Sequence, residues 1–192
     1  MLAVVRTHVA FVAGARAAGD GCSPLDFLPE VYHRYSEGRD GSVAPDGLLH
    51  YATSEAGRAL YRAFVEVDRG TMASKRLAAK LIGYARFHDH HPNPPHLRRT
   101  AGAQTVLPAW QQHYVAFPRL LFVLADTGEQ AARQRVRDLQ AIADGHPLVA
   151  RMLMSVKAGA ARLADLEQHG VNGAVWHSLT DHQRARCGAW QL

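Results

Sequence analysis

A chain of 192 residues, 47% hydrophobic and 20% charged, is long enough to bury one sizeable core and too apolar to be disordered. The +5 formal charge suits a nucleic-acid partner without requiring one. No stretch approaches the roughly 18 uninterrupted apolar residues of a membrane span. The two cysteines, Cys22 and Cys187, lie far apart and lack the paired Cys/His spacing of a zinc site. Reduced thiols and a cytoplasmic protein are expected.

Residues 2–18 read as a helix, with Leu2, Val5, Val9 and Val12 as its apolar face and Gly19 to Gly21 as its end. This segment contains Arg6, His8 and Arg16 and lacks the basic-then-apolar order of a signal peptide. Residues 25–35 read as a first strand, placed at an edge or bent by Pro29. Glu30 within it is either a site acid or, more simply, a surface acid. Val43 to Ala52 reads as a second strand, interrupted by Pro45-Asp46-Gly47. Glu55-Ala56-Gly57-Arg58 turns the chain into a third strand, Ala59 to Asp68. Alternation there puts Arg62, Phe64, Glu66 and Asp68 on one face and Tyr61, Ala63, Val65 and Val67 on the other.

Thr71 to His88 carries the strongest helical pattern, with Leu77, Ala78, Leu81, Ile82 and Ala85 forming the apolar face and Thr71 or Ser74 able to cap it. The histidine- and proline-rich run His88 to His96 lacks a helical His-xxx-His frame and reads as a loop. It opens a long connection in which Arg98 and Arg99 are candidates for nucleic-acid contact and Trp110 and Tyr114 for packing. Phe117 to Ala125 is a continuous apolar run, as in a strand buried on both faces. An arginine-rich helix follows to about Ala143, ended by Gly145-His146-Pro147. Leu148 to Val156 reads as a further strand, and Ala158 to His169 as a short helix ending in Gly170. The tail holds Trp176 and Trp190 and has no clear order of its own.

One constellation has the composition of a chemical site. Glu66 and Asp68 share a face at a strand end, and Asp46 lies at the start of the preceding strand. Same-face acids that close require a cation between them. Lys80 borders the apolar face of the next helix, with Tyr84 one turn further along. Lysine is otherwise found only at Lys75 and Lys157.

Helix, three strands, helix, strand, with Pro-Asp on the second strand and Glu-x-Asp ending the third, resembles the αβββαβ core of PD-(D/E)XK nucleases. That resemblance implies an α/β (α+β) fold with a central mixed sheet flanked by helices. It implies Mg²⁺ held by Asp46, Glu66 and Asp68, and catalytic roles for Asp46, Glu66 and Lys80. Asp68 stands where that pattern has its lysine, and Lys80 is the relocated cation. Pro45-Asp46-Gly47, Phe64-Val65-Glu66-Val67-Asp68-Arg69-Gly70-Thr71 and Arg76-Leu77-Ala78-Ala79-Lys80-Leu81-x-x-Tyr84 together resemble the replication-relaxation family of actinobacterial plasmids and integrative elements. The similarity extends over roughly residues 2–145. It implies a single nuclease-like domain over residues 1–192, DNA as partner alongside replication or transfer proteins, and DNA contact through Arg69, Arg76, Tyr84, Arg98 and Arg99. Members usually carry a winged-helix domain ahead of this region, and here the chain starts at the first core helix. The residues leave three readings open: a DNA-binding replication or relaxation accessory protein, a Mg²⁺-dependent nuclease, and a plain interaction domain.

Overall fold

The computed structural model describes residues 2–37, 41–54, 58–70, 74–92, 107–183 and 185–192, the side chains of Ser74 and Lys75 excepted. The proposed hairpin tip at 55–57, the cap at Thr71, and Arg98 and Arg99 lie outside the described residues. The elements run α1 (Leu2–Ala18), β1 (Phe27–Pro29), β2 (His33–Arg34), β3 (Ser42–Val43), β4 (Gly47–Ala52), β5 (Leu60–Asp68) and α2 (Ser74–Asp89). They continue with β6 (Arg119–Leu124), α3 (Glu129–Gly145), α4 (Pro147–Leu153), β7 (Ala158–Arg162), α5 (Leu163–His169) and β8 (His177–Ser178).

Six strands form one mixed sheet in the order β1-β4-β5-β6-β7-β8, and β2 and β3 form a separate pair. The β4–β5 pair is antiparallel, while β5, β6 and β7 are mutually parallel. This is the mixed sheet flanked by helices that the pattern of elements predicts. The period-two alternation of the strands sorts the core into two layers. Phe64, Leu120, Phe122 and Leu124 pack with α2, α3 and α4. Ala63, Val65, Val67, Leu121 and Val123 pack with α1 and α5 on the other side. β6 is buried on both faces, which is why its sequence is a continuous apolar run.

Several local expectations are corrected. The buried face of α1 is Ala3, Thr7, Ala10, Phe11, Val12 and Ala15, whereas Leu2, Val5 and Val9 are exposed. Small side chains let the helix approach the sheet closely, and Phe11 fills the remaining volume. Residues 25–35 do not form one strand. A 3-10 turn precedes β1, and exposed Glu30, at φ 52°, separates it from β2. β1 does lie at the sheet edge, as Pro29 requires. Leu148 to Val156 is largely helical, because Pro147 sits in the first turn and Val149, Met152 and Leu153 recur at helical spacing. Ala158 to Arg162 is a strand, not the start of a helix. Alanine favours helix intrinsically, but this segment pairs with β6 on one side and β8 on the other, and tertiary pairing prevails. Trp110 and Tyr114 are buried packing residues as expected, and Cys22 and Cys187 are buried and unbridged. No helix among the described residues is long and apolar enough to cross a membrane.

Gly47 places the start of β4 directly under the Phe27 ring, and a Cβ there would come within 2.2 Å of that ring. Gly47→Ala is therefore expected to destabilise the fold by about 1–3 kcal/mol through overpacking. Gly145→Ala, where nothing among the described residues lies within 4 Å of the added atom, is expected to leave thermal unfolding unchanged or slightly raised. Thermal denaturation of the two variants checks both.

Candidate functional site

The alternation of β5 sends Phe64, Glu66 and Asp68 into the layer of α2 and α3. Glu66 and Asp68 are 2% and 1% exposed, so two carboxyl groups lie within a largely apolar core. A carboxylate in such a place is tolerated only with hydrogen bonds and an opposite charge. Lys80 and Tyr84, one turn apart on α2, supply both to Glu66. The Lys80 ammonium pairs directly with Glu66 Oε2. The Tyr84 hydroxyl donates to Oε1 at 2.5 Å, and its ring stacks on Phe64 with centroids 5.3 Å apart.

Asp46, in the connection between β3 and β4, completes this group. Its Oδ2 accepts the Val67 backbone N–H at 2.8 Å and lies 3.5 Å from the same Lys80 Nζ. The acceptor position follows from register. Gly47 opposes Val65 as the last pair of the β4–β5 ladder, so the residue before it sits beside the continuing end of β5. Asp46 and Glu66 thus converge on one cation, and that cation is Lys80. A cavity of about 260 Å³ opens onto this point between Ser42, Arg76, Lys80 and Tyr84.

Asp68 turns elsewhere. Its carboxylate pairs with Arg135 of α3 and accepts the Gly70 N–H at 3.2 Å, while Arg135 also donates to the Gly70 carbonyl at 2.9 Å. Gly70 has φ +73°, a left-handed turn that favours glycine and brings its backbone over the end of β5. Among the described residues no three His, Cys, Asp or Glu side chains are gathered as for a metal ion. The chemistry of the donors fits a shared cation for Asp46 and Glu66, while Asp68 does not join that pair.

The predicted residues therefore divide. Asp46, Glu66 and Lys80 come together, with Tyr84 as the fourth member. Tyr84, expected at a nucleic-acid surface, is 1% exposed and serves Glu66 from inside the core. Arg69 and Arg76 are exposed, Arg76 at the rim of the cavity. Arg135 escaped the sequence reading. Its signal is its spacing, three residues after buried Ala132 and four before buried Leu139, which puts it at the border of the inward face of α3.

Burial raises the Glu66 carboxyl to about 7, against the pull of Lys80 and Tyr84 in the other direction. Burial acts downward on Lys80, but the charges of Glu66 and Asp46 outweigh it and leave its pKa raised. Between about pH 4.5 and 7 the folded chain holds the Glu66 proton that the unfolded chain releases. Stability from this group therefore falls as pH rises through that window. Buried His33, with its pKa lowered to about 4 by desolvation, works in the opposite sense, as do the partly buried His50, His88 and His177. The difference between wild type and Glu66→Gln isolates the carboxyl. Urea unfolding at pH 5, 6, 7 and 8 is expected to show the variant gaining stability relative to wild type as pH rises. A constant difference would refute the assignment.

The sequence model of the replication-relaxation family matches residues 1–98, just over half of the chain. That segment carries Asp46, Glu66, Asp68, Lys80 and Tyr84 but ends before Arg135. No curated protein and no solved structure matches the chain. The match and the residues of the cluster lead to one identification: the chain belongs to the replication-relaxation family.

Proposed function

We propose that this protein is a DNA-binding accessory factor of plasmid replication or relaxation, built on a nuclease-like core whose acids are satisfied by the protein's own cations. The observation that carries this reading is the position of Lys80, whose ammonium stands between Asp46 and Glu66 while Arg135 closes Asp68. A buried acid cluster neutralised in this way is a structural network that ties β5 to α2 and α3. DNA contact then falls to the basic surface beside it, where Arg69 follows the end of β5 and Arg76 rims the cavity. The overall +5 charge supports a polyanionic partner. The family match is what supports the setting of plasmid replication or relaxation.

A second reading is favoured by one specific observation. Asp46 and Glu66 already converge on a single cation beside an open cavity, and a raised carboxyl pKa at such a point is a mark of catalytic sites. In that reading Asp46 and Glu66 hold Mg²⁺, and the protein is a nuclease cleaving phosphodiester bonds. Bound Mg²⁺ would supply an activated water and charge stabilisation, with Lys80 released from the acids to act as the electrostatic helper.

The experiment that separates the two uses supercoiled and linear plasmid DNA with Mg²⁺, Mn²⁺ or EDTA. Retention without cleavage, with affinity falling steeply as salt rises, is the expected result. Arg69→Ala and Arg76→Ala are each expected to reduce the slope of log affinity against log salt by about 1. Nicking or linearisation that requires metal and disappears in Asp46→Ala and Glu66→Ala would overturn the accessory reading in favour of the nuclease. Failure to retain DNA at low salt would overturn both.

A further inference from the structure

A second cavity, of about 380 Å³, lies away from the Glu66 cluster at the carboxyl ends of the parallel strands β6 and β7. Its position follows from the topology. β6 leads into α3, whose Ala132 and Val136 pack in the core layer of Phe122 and Leu124. β7 leads into α5, whose Leu163 and Leu166 belong to the opposite layer. The chain thus leaves two adjacent parallel strands towards opposite faces of the sheet. The crevice left between such connections is where open α/β sheets take up ligands.

The walls have two characters. Leu124 and Val136 make an apolar side, while Arg133, Arg162 and Arg186 make a cationic one. Asp165 sits between two of the arginines, 3.6 Å from Arg162 and 3.8 Å from Arg186, and Glu129 pairs with Arg133. The Asp165 separations are longer than hydrogen bonds, so its carboxylate balances charge without occupying the guanidinium forks. The Arg162 Nε–H is buried with no hydrogen-bond partner among the described residues. Three permanently charged guanidinium groups against two carboxylates leave a positive excess beside an apolar wall. A phosphomonoester, with a double charge and three acceptor oxygens, is the group that such forks bind best. The volume is in the range of small-ligand pockets, and the apolar wall can receive a base. All of these residues lie outside the family-matched segment 1–98.

We propose that this cleft binds the phosphomonoester of a nucleotide, either free or at the end of a nucleic-acid strand. The test is calorimetric titration of the full chain with 5′-dAMP, deoxyadenosine, and a short single-stranded oligonucleotide with and without a 5′-phosphate. At least one phosphorylated probe is expected to bind tenfold or more tightly than its unphosphorylated counterpart. The double variant Arg133→Ala/Arg186→Ala, altered at two exposed positions, is expected to lose that difference. Tighter binding of dAMP assigns the site to a free nucleotide and tighter binding of the phosphorylated oligonucleotide to a strand end, and both results uphold the proposal. Equal binding with and without phosphate, no binding of either phosphorylated probe, or an undiminished difference in the double variant overturns it. Should the double variant not fold, Asp165→Asn removes the charge-balancing carboxylate and is expected to tighten the phosphorylated probe severalfold. Unchanged or weaker binding by Asp165→Asn would count against the site.

Discussion

A buried carboxylate is the constraint on which the rest of this structure depends. Glu66 sits in the central strand of the sheet, facing a helix layer that is otherwise apolar. Leaving it there without partners would cost several kcal/mol, more than most single interactions contribute. Everything near it answers that cost. Tyr84 gives up solvent contact to donate its hydroxyl, Lys80 reaches back from the same helix face, and Asp46 shares the lysine while fixing the Val67 amide. The docking of α2 on the sheet is thereby specified by polar geometry as well as by Leu77, Leu81 and Ala85.

The same logic extends one helix further. Asp68 is as buried as Glu66, and Arg135 binds both its carboxylate and the Gly70 carbonyl. Two acids on one strand face are therefore answered by two different helices. Each acid fixes a neighbouring element: Glu66 locates α2, and Asp68 locates α3. This division sorts the three carboxylates into two separate ion-pair groups, Asp46–Lys80–Glu66 and Asp68–Arg135.

How much of this could be read from the sequence varies with the physical signal. Alternation along Arg62 to Asp68 and the continuous apolar run after Phe117 identified the central strands, because periodicity and burial are local properties. The convergence of Asp46, Glu66 and Lys80 was also readable, since strand register and helix spacing fix which side chains can meet. The partner of Asp68 was not, because Arg135 is 67 residues away in the chain and one of three arginines on its helix. The Ala158–Arg162 segment misled for a different reason. Its alanines prefer helix, and only the strands on either side of it impose an extended backbone. The valines of α1 misled because an apolar stripe at helical spacing marks a buried face only when that face meets the sheet, and here the alanine side does.

The central claim is that Lys80 is the resident cation of the Asp46–Glu66 pair. Its most direct test is ¹³C NMR of the side-chain carboxyls at neutral pH while Mg²⁺ is added to millimolar concentration. If Lys80 holds the position, the Asp46 and Glu66 carboxyl resonances stay where they are throughout the titration, and they move only in Lys80→Ala. A saturable shift of both resonances in the wild-type protein would contradict the account and make the acids a metal site.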